Sequence, residues 1–297
     1  MAQAMSEVLH CRGAANIRKQ AEVDEERVTY IPIKEINLDD NGLKDASFAH
    51  ILESLATQPS LKRICYINNE IGAKSIAQLA RILSSDHESD LNDLRITAVK
   101  SSKHEVNLLL QALAKCTNRL VRLRLSHIQI NEFVLMESLK QMVFNMPHIQ
   151  ELNLSFINVH GRQLADLMEV IQDNCQQIQY LNLSYNSLPS NLTWQQKFLH
   201  HLVILINTSS KLIDIDLSGM NLRENVKAIQ WPLAKSKTLE AIHLSDNNLP
   251  KPTEINMLMV FGVKCSGDDV DNFSITAKLD PRLLKRAAMT TVRVNNY

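Results

Sequence analysis

The sequence has few of the residues from which nucleotide-binding and catalytic sites are usually built. The whole chain includes only seven glycines, so glycine-rich loops that cradle phosphate groups are not expected. The sequence lacks the patterns of phosphate-binding, dinucleotide-binding, zinc-protease and hydrolase sites, which are GxxxxGK[ST], GxGxxG, HExxH and GxSxG. We therefore expect no enzyme activity, no cofactor and no small-molecule substrate.

Paired cysteines and spaced metal ligands are also missing. The cysteines are odd in number, scattered and without repeated spacing, which argues against the disulfide framework of a secreted domain; they are Cys11, Cys65, Cys116, Cys175 and Cys265. His200 and His201 are adjacent, but neighbouring residues on a helix do not face the same way. Since no third ligand is spaced to join them, we expect no metal site. A reactive thiol at Cys65 is less favoured than a chance cysteine.

Neither an excess of one charge nor a long apolar run is present. The 32 basic residues balance the 32 acidic residues, so no general attraction to nucleic acid or to anionic membranes is expected. The longest apolar runs, 199–206 and 255–263, are too short to span a bilayer. Residues 1–9 also lack the apolar core of a signal peptide. These features predict a cytoplasmic protein.

What the sequence does contain is a repeat. The spacing of Ile149, Leu152 and Leu154 returns further along the chain as Ile178, Leu181 and Leu183. Eight copies follow one another, with first apolar positions at Ile33, Leu61, Leu91, Leu120, Ile149, Ile178, Leu212 and Leu239. Most steps between these positions are close to the step from Ile149 to Ile178, and the step from Ile178 to Leu212 is the longest. A unit of this length that recurs so regularly indicates a solenoid.

Each copy has the pattern of a strand followed by a helix. Alternation places Ile36 and Leu38 inward and leaves Glu35 and Asn37 outward. A helical spacing follows each strand, as in 48–55, 76–83 and 164–175. Because helices are wider than the distance between strands, the array is expected to curve with its strands on the concave face. The sixth repeat should carry a longer helix, and Pro232 should shorten the seventh.

The pattern LxxLxLxxN, with a strand and a full helix in each unit, resembles the ribonuclease-inhibitor-like class of leucine-rich repeat proteins. The resemblance implies an α/β horseshoe with a parallel sheet on the concave face, helices on the convex face, and a protein partner bound on the concave face. The repeat pattern is also similar to the repeat domains of innate immune receptors, tropomodulins, the activator of the Ran GTPase and several axonemal subunits. We expect an N-terminal cap over 1–32, about eight repeats over 33–249, and a C-terminal cap and tail over 250–297.

The asparagine of the pattern is present in only half of the copies. Its position is filled by Asn41, Asn69, Asn186 and Asn247, but by Val99, Ile128, Ile157 and Met220 in the other repeats. An asparagine here should bond backbone groups exposed at the turn, because buried peptide groups need partners. The aliphatic copies should change the turn locally without removing the repeat.

The outward strand positions are the candidate binding surface. Arginines cluster in the middle repeats, aromatic residues follow, and acidic residues come last; the predicted partner-binding set is Arg63, Arg95, Arg122, Arg124, Glu151, Asn153, Phe156, Tyr180, Tyr185, Asp214 and Asp216. Arginine and tyrosine are enriched at interface hot spots, so a central patch could bind an acidic or aromatic protein segment. The competing interpretation is that these arginines only pair with acidic residues across strands. A column of serines, by contrast, is assigned to structure.

These observations favour a non-catalytic scaffold or adaptor that binds a protein partner on its concave face. Two alternatives stay open at this point. One is a structural subunit of a large assembly, such as a cytoskeletal or axonemal complex, held through its helices and ends. The other is a regulator of a small GTPase.

Overall fold

The computed structural model describes residues 32–84, 90–97, 101–115, 120–250, 252–253 and 291–293. The chain forms two compact units, Met1–Ile149 (unit 1) and Gln150–Tyr297 (unit 2). In both of them the described chain alternates a short strand with a helix.

Unit 1 contains four parallel strands in chain order, and a helix follows each of them. Its strands are β1 (Glu35–Asn37), β2 (Arg63–Tyr66), β3 (Asp93–Thr97) and β4 (Arg122–Ser126). Its helices are α1 (Asp45–Leu55), α2 (Ala73–Ser84), α3 (Lys103–Lys115) and α4 (Phe133–Phe144). The helices pack side by side in the same order as the strands.

Unit 2 repeats the arrangement with five parallel strands. The strands are β5 (Glu151–Asn153), β6 (Tyr180–Asn182), β7 (Asp214–Asp216), β8 (Ala241–His243) and β9 (Thr291–Arg293). The helices are α5 (Arg162–Asn174), α6 (Leu192–Thr208) and α7 (Val226–Lys235), the last preceded by a 3-10 turn at Arg223–Asn225. The first eight strands fall on the eight predicted copies, so the predicted strand-and-helix repeat is confirmed.

The core lies between the strands and the helices, where the period-2 and helical patterns predict it. In unit 1 the inward strand residues Ile64, Leu94 and Leu123 are fully buried and occupy equivalent positions on neighbouring strands. The predicted helical stripe Phe48, Ile51, Leu52 and Leu55 is buried as well. Burial of this apolar surface is the main term that holds one repeat to the next.

The two irregular repeats follow the prediction with one refinement. Helix α6, in the sixth and longest repeat, has 17 residues and is the longest described helix. Helix α7 has 10 residues and is the shortest of α1–α7, but it continues beyond Pro232 to Lys235. A proline so close to the C-terminal end removes one backbone hydrogen bond without ending the helix at once.

In three repeats the asparagine of the pattern connects the repeat to the one before it. Asn186 Nδ2 donates to the carbonyls of Leu154 and Leu183 at 2.9 and 3.0 Å, and its Oδ1 accepts from Val159 N. Asn69 and Asn247 make equivalent bonds. Asn41, in the first repeat, is exposed, and its side chain donates locally to the carbonyl of Asp39. In the aliphatic copies Ile128, Ile157 and Met220 are fully buried.

Both predicted caps lie mostly outside the described residues. This holds for 1–31 and for the apolar run 255–263. Strand β9 was not predicted, and it extends the unit 2 sheet by pairing with β8 in parallel. No helix in the part of the chain that the structure describes is long and apolar enough to cross a membrane.

Candidate functional site

Each unit has a strand face, which is the surface formed by the outward side chains of its strands (β1–β4 in unit 1, β5–β8 in unit 2) and of the turn residue that follows each strand. In unit 1 it is dominated by four arginines and one aspartate. The register places Arg63 beside Asp93 and Asp93 beside Arg122, while Arg95 lies beside Arg124 on the next strand. The predicted arginines are therefore brought together on three neighbouring strands.

Asp93 is the centre of this arginine cluster. Its carboxylate accepts from Arg63 Nε at 2.7 Å and Arg95 Nε at 3.0 Å, and Arg122 Nη1 lies 3.4 Å away. Its side chain is only 1% exposed, whereas those of the three arginines are 29 to 41% exposed. Burial raises the pKa of Asp93, but the hydrogen bonds and charges of Arg95 and Arg63 outweigh it and leave the pKa below its usual value.

Asp93 occupies an outward strand position, but the arginines around it close over its carboxylate and bury it. Arg63 is also paired with Glu35 at 3.0 Å. Much of the positive charge expected from the sequence is thus compensated within unit 1. Cys65 lies on β2 and is buried, and this burial raises the pKa of its thiol. The residue is therefore a poor nucleophile.

In unit 2 the strand face is acidic and aromatic. Tyr180 on β6 lies between Glu151 and Asp214 in the register, and it is 43% exposed. At the next outward position, Asn182 lies between Asn153 and Asp216 in the register, and Asn182 Nδ2 donates to Asp216 Oδ2 at 2.9 Å. His243 Nε2 lies 3.3 Å from Asp214 Oδ1.

The turn after each of these strands carries a residue in the left-handed region. Phe156, Tyr185, Gly219 and Asp246 have φ between 56° and 66°. The N–H groups of Phe156, Tyr185 and Gly219 donate to the serine carbonyl of the next repeat at 3.1, 2.8 and 2.8 Å. The four residues occupy the same repeat position and are called the turn column. A non-glycine residue is uncommon in this conformation, so its recurrence shows that the repeat imposes it.

Two aromatic rings of the turn column stack on one another. The centroids of Phe156 and Tyr185 are 4.2 Å apart with 12° between the ring planes. A Cβ at Gly219 would lie 2.4 Å from Cδ1 of Tyr185, so this ring occupies the space of a side chain at 219. Tyr185 Oη donates to Asp246 Oδ2 at 2.7 Å. This hydrogen bond is the main reason that the pKa of Tyr185 is raised. The stack leaves Phe156 and Tyr185 39% and 40% exposed.

The serine column lies beneath this surface. Ser155 and Ser184 are buried, and each donates its backbone N–H and its hydroxyl to the asparagine two residues earlier, Asn153 or Asn182. Ser218 N donates to Asp216 Oδ1 in the same way. These serines orient the strand-face amides and carboxylates.

The predicted set thus divides into two groups. The first group lies together in unit 1 and consists of Arg63, Arg95, Arg122 and Arg124. The second group lies on neighbouring strands and turns of unit 2 and consists of Glu151, Asn153, Phe156, Tyr180, Tyr185, Asp214 and Asp216. The predicted set omitted Asp93, Gly219 and Asp246. Gly219 and Asp246 could have been found from the sequence, because they occupy the same repeat position as Phe156 and Tyr185.

Among the described ranges, the His, Cys, Asp and Glu side chains form no group of three that could hold a metal ion. Most polar groups of the strand face bond one another or neighbouring backbone atoms. Their exposed atoms can act as hydrogen-bond acceptors, and the rings beside them provide aromatic contact surface.

Comparison with known proteins identifies the fold. No family model matches the sequence, and no curated protein matches it. A chain in the crystal structure of the Rad7 and Elc1 complex from yeast is similar, with a TM-score of 0.58 at 15% identity, over 88% of this chain and 63% of that one. This chain therefore spans less than two thirds of that neighbour's length. The leucine-rich repeat-containing protein LegL7 from Legionella pneumophila matches with a TM-score of 0.48 at 16% identity, over 90% of this chain and 85% of that one.

Proposed function

We propose that this leucine-rich repeat protein is a non-catalytic interaction module that binds a protein partner on its strand face. The observation that carries the proposal is the exposure of three aromatic side chains, Phe156, Tyr180 and Tyr185, on a surface otherwise made of polar strand residues. Exposed aromatic residues within a polar surface are typical of interface hot spots.

The backbone beneath this surface is well suited to binding. Neighbouring strands hold it through parallel ladders, and the turn residues are fixed by backbone hydrogen bonds to the next repeat. The rings of Phe156 and Tyr185 are further restrained by their stacking and by Asp246. Side chains that are already ordered lose little conformational entropy when a partner binds.

The comparisons support a protein partner only at the level of the fold. The yeast neighbour was crystallised as a complex of two proteins, Rad7 and Elc1. An interaction role for the present chain is a proposal by analogy with that fold. The cytoplasmic location stays a prediction from the sequence.

The test is a measurement of partner binding by matched surface variants of the intact chain. Protein purified from the native source is used to isolate and identify the partner, and its affinity is then measured for Tyr180→Ala and for the helix variant Leu192→Ala. Leu192 is 65% exposed on α6, so both changes remove one exposed large side chain. We expect a loss of about tenfold or more for Tyr180→Ala and no change for Leu192→Ala.

The helix side offers a second candidate surface, and one observation favours it. Phe133, Val134 and Phe144 of α4 are 73%, 61% and 56% exposed, which is unusual for large apolar residues on an outer helix face. A structural subunit docked through its helices would use such residues. In that case Phe144→Ser would weaken assembly and Tyr180→Ala would not. The role of a small-GTPase regulator stays an alternative, tested by GTP turnover against a panel of GTPases.

A further inference from the structure

The strand face of unit 2 differs from that of unit 1 in net charge. The segments 151–156, 180–185, 214–219 and 241–246 contain four acidic residues and no lysine or arginine; the acidic residues are Glu151, Asp214, Asp216 and Asp246. In the equivalent segments of unit 1, which are 35–40, 63–68, 93–98 and 122–127, four arginines balance four acidic residues. Over β5–β8 the unit 2 face therefore carries a net negative charge; the added strand β9 brings one basic residue, Arg293, beside His243 in the register.

The two carboxylates nearest the aromatic stack have neutral hydrogen-bond partners. Asp246 accepts from the phenol of Tyr185, and Asp216 accepts from the amide of Asn182 and from Ser218 N. Neutral donors hold the carboxylates in place and leave their charge uncancelled. This differs from the situation of Asp93, where guanidinium groups cancel the charge.

The stacked rings supply a second attraction for the same kind of ligand. The face of an aromatic ring attracts a cation, most often the guanidinium of an arginine, and the attraction is stronger where water is partly excluded. Phe156 and Tyr185 stack with nearly parallel planes and remain 39% and 40% exposed. A guanidinium group can also stack on such a ring while it donates to a carboxylate.

We propose that the strand face of unit 2 binds a basic, arginine-containing protein segment, with a guanidinium group over the Phe156–Tyr185 stack and hydrogen-bonded to Asp216 or Asp246. The inference rests on the proposed interaction function and names the chemistry of the partner for that surface. The sequence predicts a different partner, an acidic or aromatic segment. The structure changes that prediction because the arginines of unit 1 are paired with carboxylates, whereas Asp216 and Asp246 in unit 2 are bonded to neutral donors.

Fluorescence anisotropy of labelled peptides on the full chain tests the inference. The probes are a short peptide of alternating arginine and serine, the same peptide with lysine, and the same peptide with glutamate. We expect the arginine peptide to bind best, the lysine peptide more weakly and the glutamate peptide not at all. Binding of the arginine peptide should weaken as salt is raised, because exposed charges are screened.

Three variants locate the binding. Phe156→Leu should weaken arginine-peptide binding by roughly two- to fivefold, the usual range for one exposed cation–ring contact. Asp216→Asn with Asp246→Asn should weaken it by about tenfold at low salt and flatten its salt dependence. The double variant Asp173→Asn with Glu137→Gln changes the net charge equally on exposed helix positions and should leave binding unchanged. Circular dichroism melts confirm that each variant is folded.

The outcomes separate the inference from the proposed function. If the glutamate peptide binds instead, and Arg122→Glu with Arg124→Glu abolishes that binding, the strand face is used but the basic partner is wrong. If the arginine peptide binds and neither strand-face variant weakens it, the inference is wrong; the strand-face function is then decided by the Tyr180→Ala measurement with the isolated partner. If no peptide binds, the inference of a basic partner is overturned.

Discussion

Replacing Asp93 by asparagine should destabilise unit 1 at neutral pH. The substitution keeps the side-chain shape but removes the charge that three arginines surround at 2.7, 3.0 and 3.4 Å. Removing one partner of a buried ion pair commonly costs about 3–5 kcal/mol. Because the arginine side chains stay 29 to 41% exposed and can be hydrated, we expect a smaller loss of about 2 kcal/mol in the free energy of unfolding.

The loss should depend on pH in a defined direction. The pKa of Asp93 is lowered in the folded protein, so the unfolded chain binds more protons and stability falls as the solution is acidified. The stabilisation is complete above the unfolded pKa of about 3.9 and disappears as the pH falls through the lower folded value. The difference between native protein and Asp93→Asn should therefore be constant near neutrality and shrink in acid.

Urea unfolding, monitored by hydrogen exchange of the β2–β4 amides, measures this effect. The measurement is local to unit 1, so it does not require the whole chain to unfold in a single transition. Arg122→Gln serves as the control, because its contact is the longest and its side chain the most exposed of the three; it should cost less than about 1 kcal/mol. A loss below about 0.5 kcal/mol for Asp93→Asn, or a difference that grows in acid, would refute the assignment of Asp93 as the stabilising centre of the arginine cluster.

Two further predictions concern the repeat itself. Asn186→Leu should cost about 2–4 kcal/mol, because it leaves the buried carbonyl of Leu154 and the N–H of Val159 without their partner; Asn41→Leu, at the same repeat position but exposed, should be nearly neutral in the same urea titration. Gly219→Ala should displace the Tyr185 ring and cost about 1–3 kcal/mol, measured by thermal melting. Most of that cost should vanish in a Tyr185→Ala background. Phe156 and Tyr185 show that this repeat position accepts a side chain in the left-handed region. An unchanged cost would mean that the strain lies in the backbone and not in the contact with the Tyr185 ring.

Apolar spacing was sufficient to predict the fold because each repeat uses the same few contacts. The alternation around Ile64, Leu94 and Leu123 determines which strand side is buried, and the helical spacing determines which helix face covers it. The length of α6 followed from the long step between the sixth and seventh copies. The continuation of α7 beyond Pro232 did not follow, since the effect of a proline depends on how many turns remain after it.

The strand face was less predictable, because its properties depend on contacts between repeats. Parity places Asp93 outward, but three flexible arginines bury it. Strand parity gives the face on which a side chain lies and not the contacts that it makes with neighbouring strands. The sequence places Phe156 and Tyr185 at one repeat position, yet the missing side chain of Gly219 is what lets the Tyr185 ring lie over the next turn. Reading every repeat position as a column, including glycine, would have identified that site.

The central claim is that a protein partner binds the strand face, and site-specific photo-crosslinking tests it most directly. A photoreactive amino acid is placed in the full chain either at Tyr180 on β6 or at Phe144 on α4, both exposed aromatic positions, and each protein is mixed with the partner isolated from the native source. We predict crosslinks from position 180 and none from position 144. Crosslinks from position 144 alone would contradict the account and favour docking through the helices.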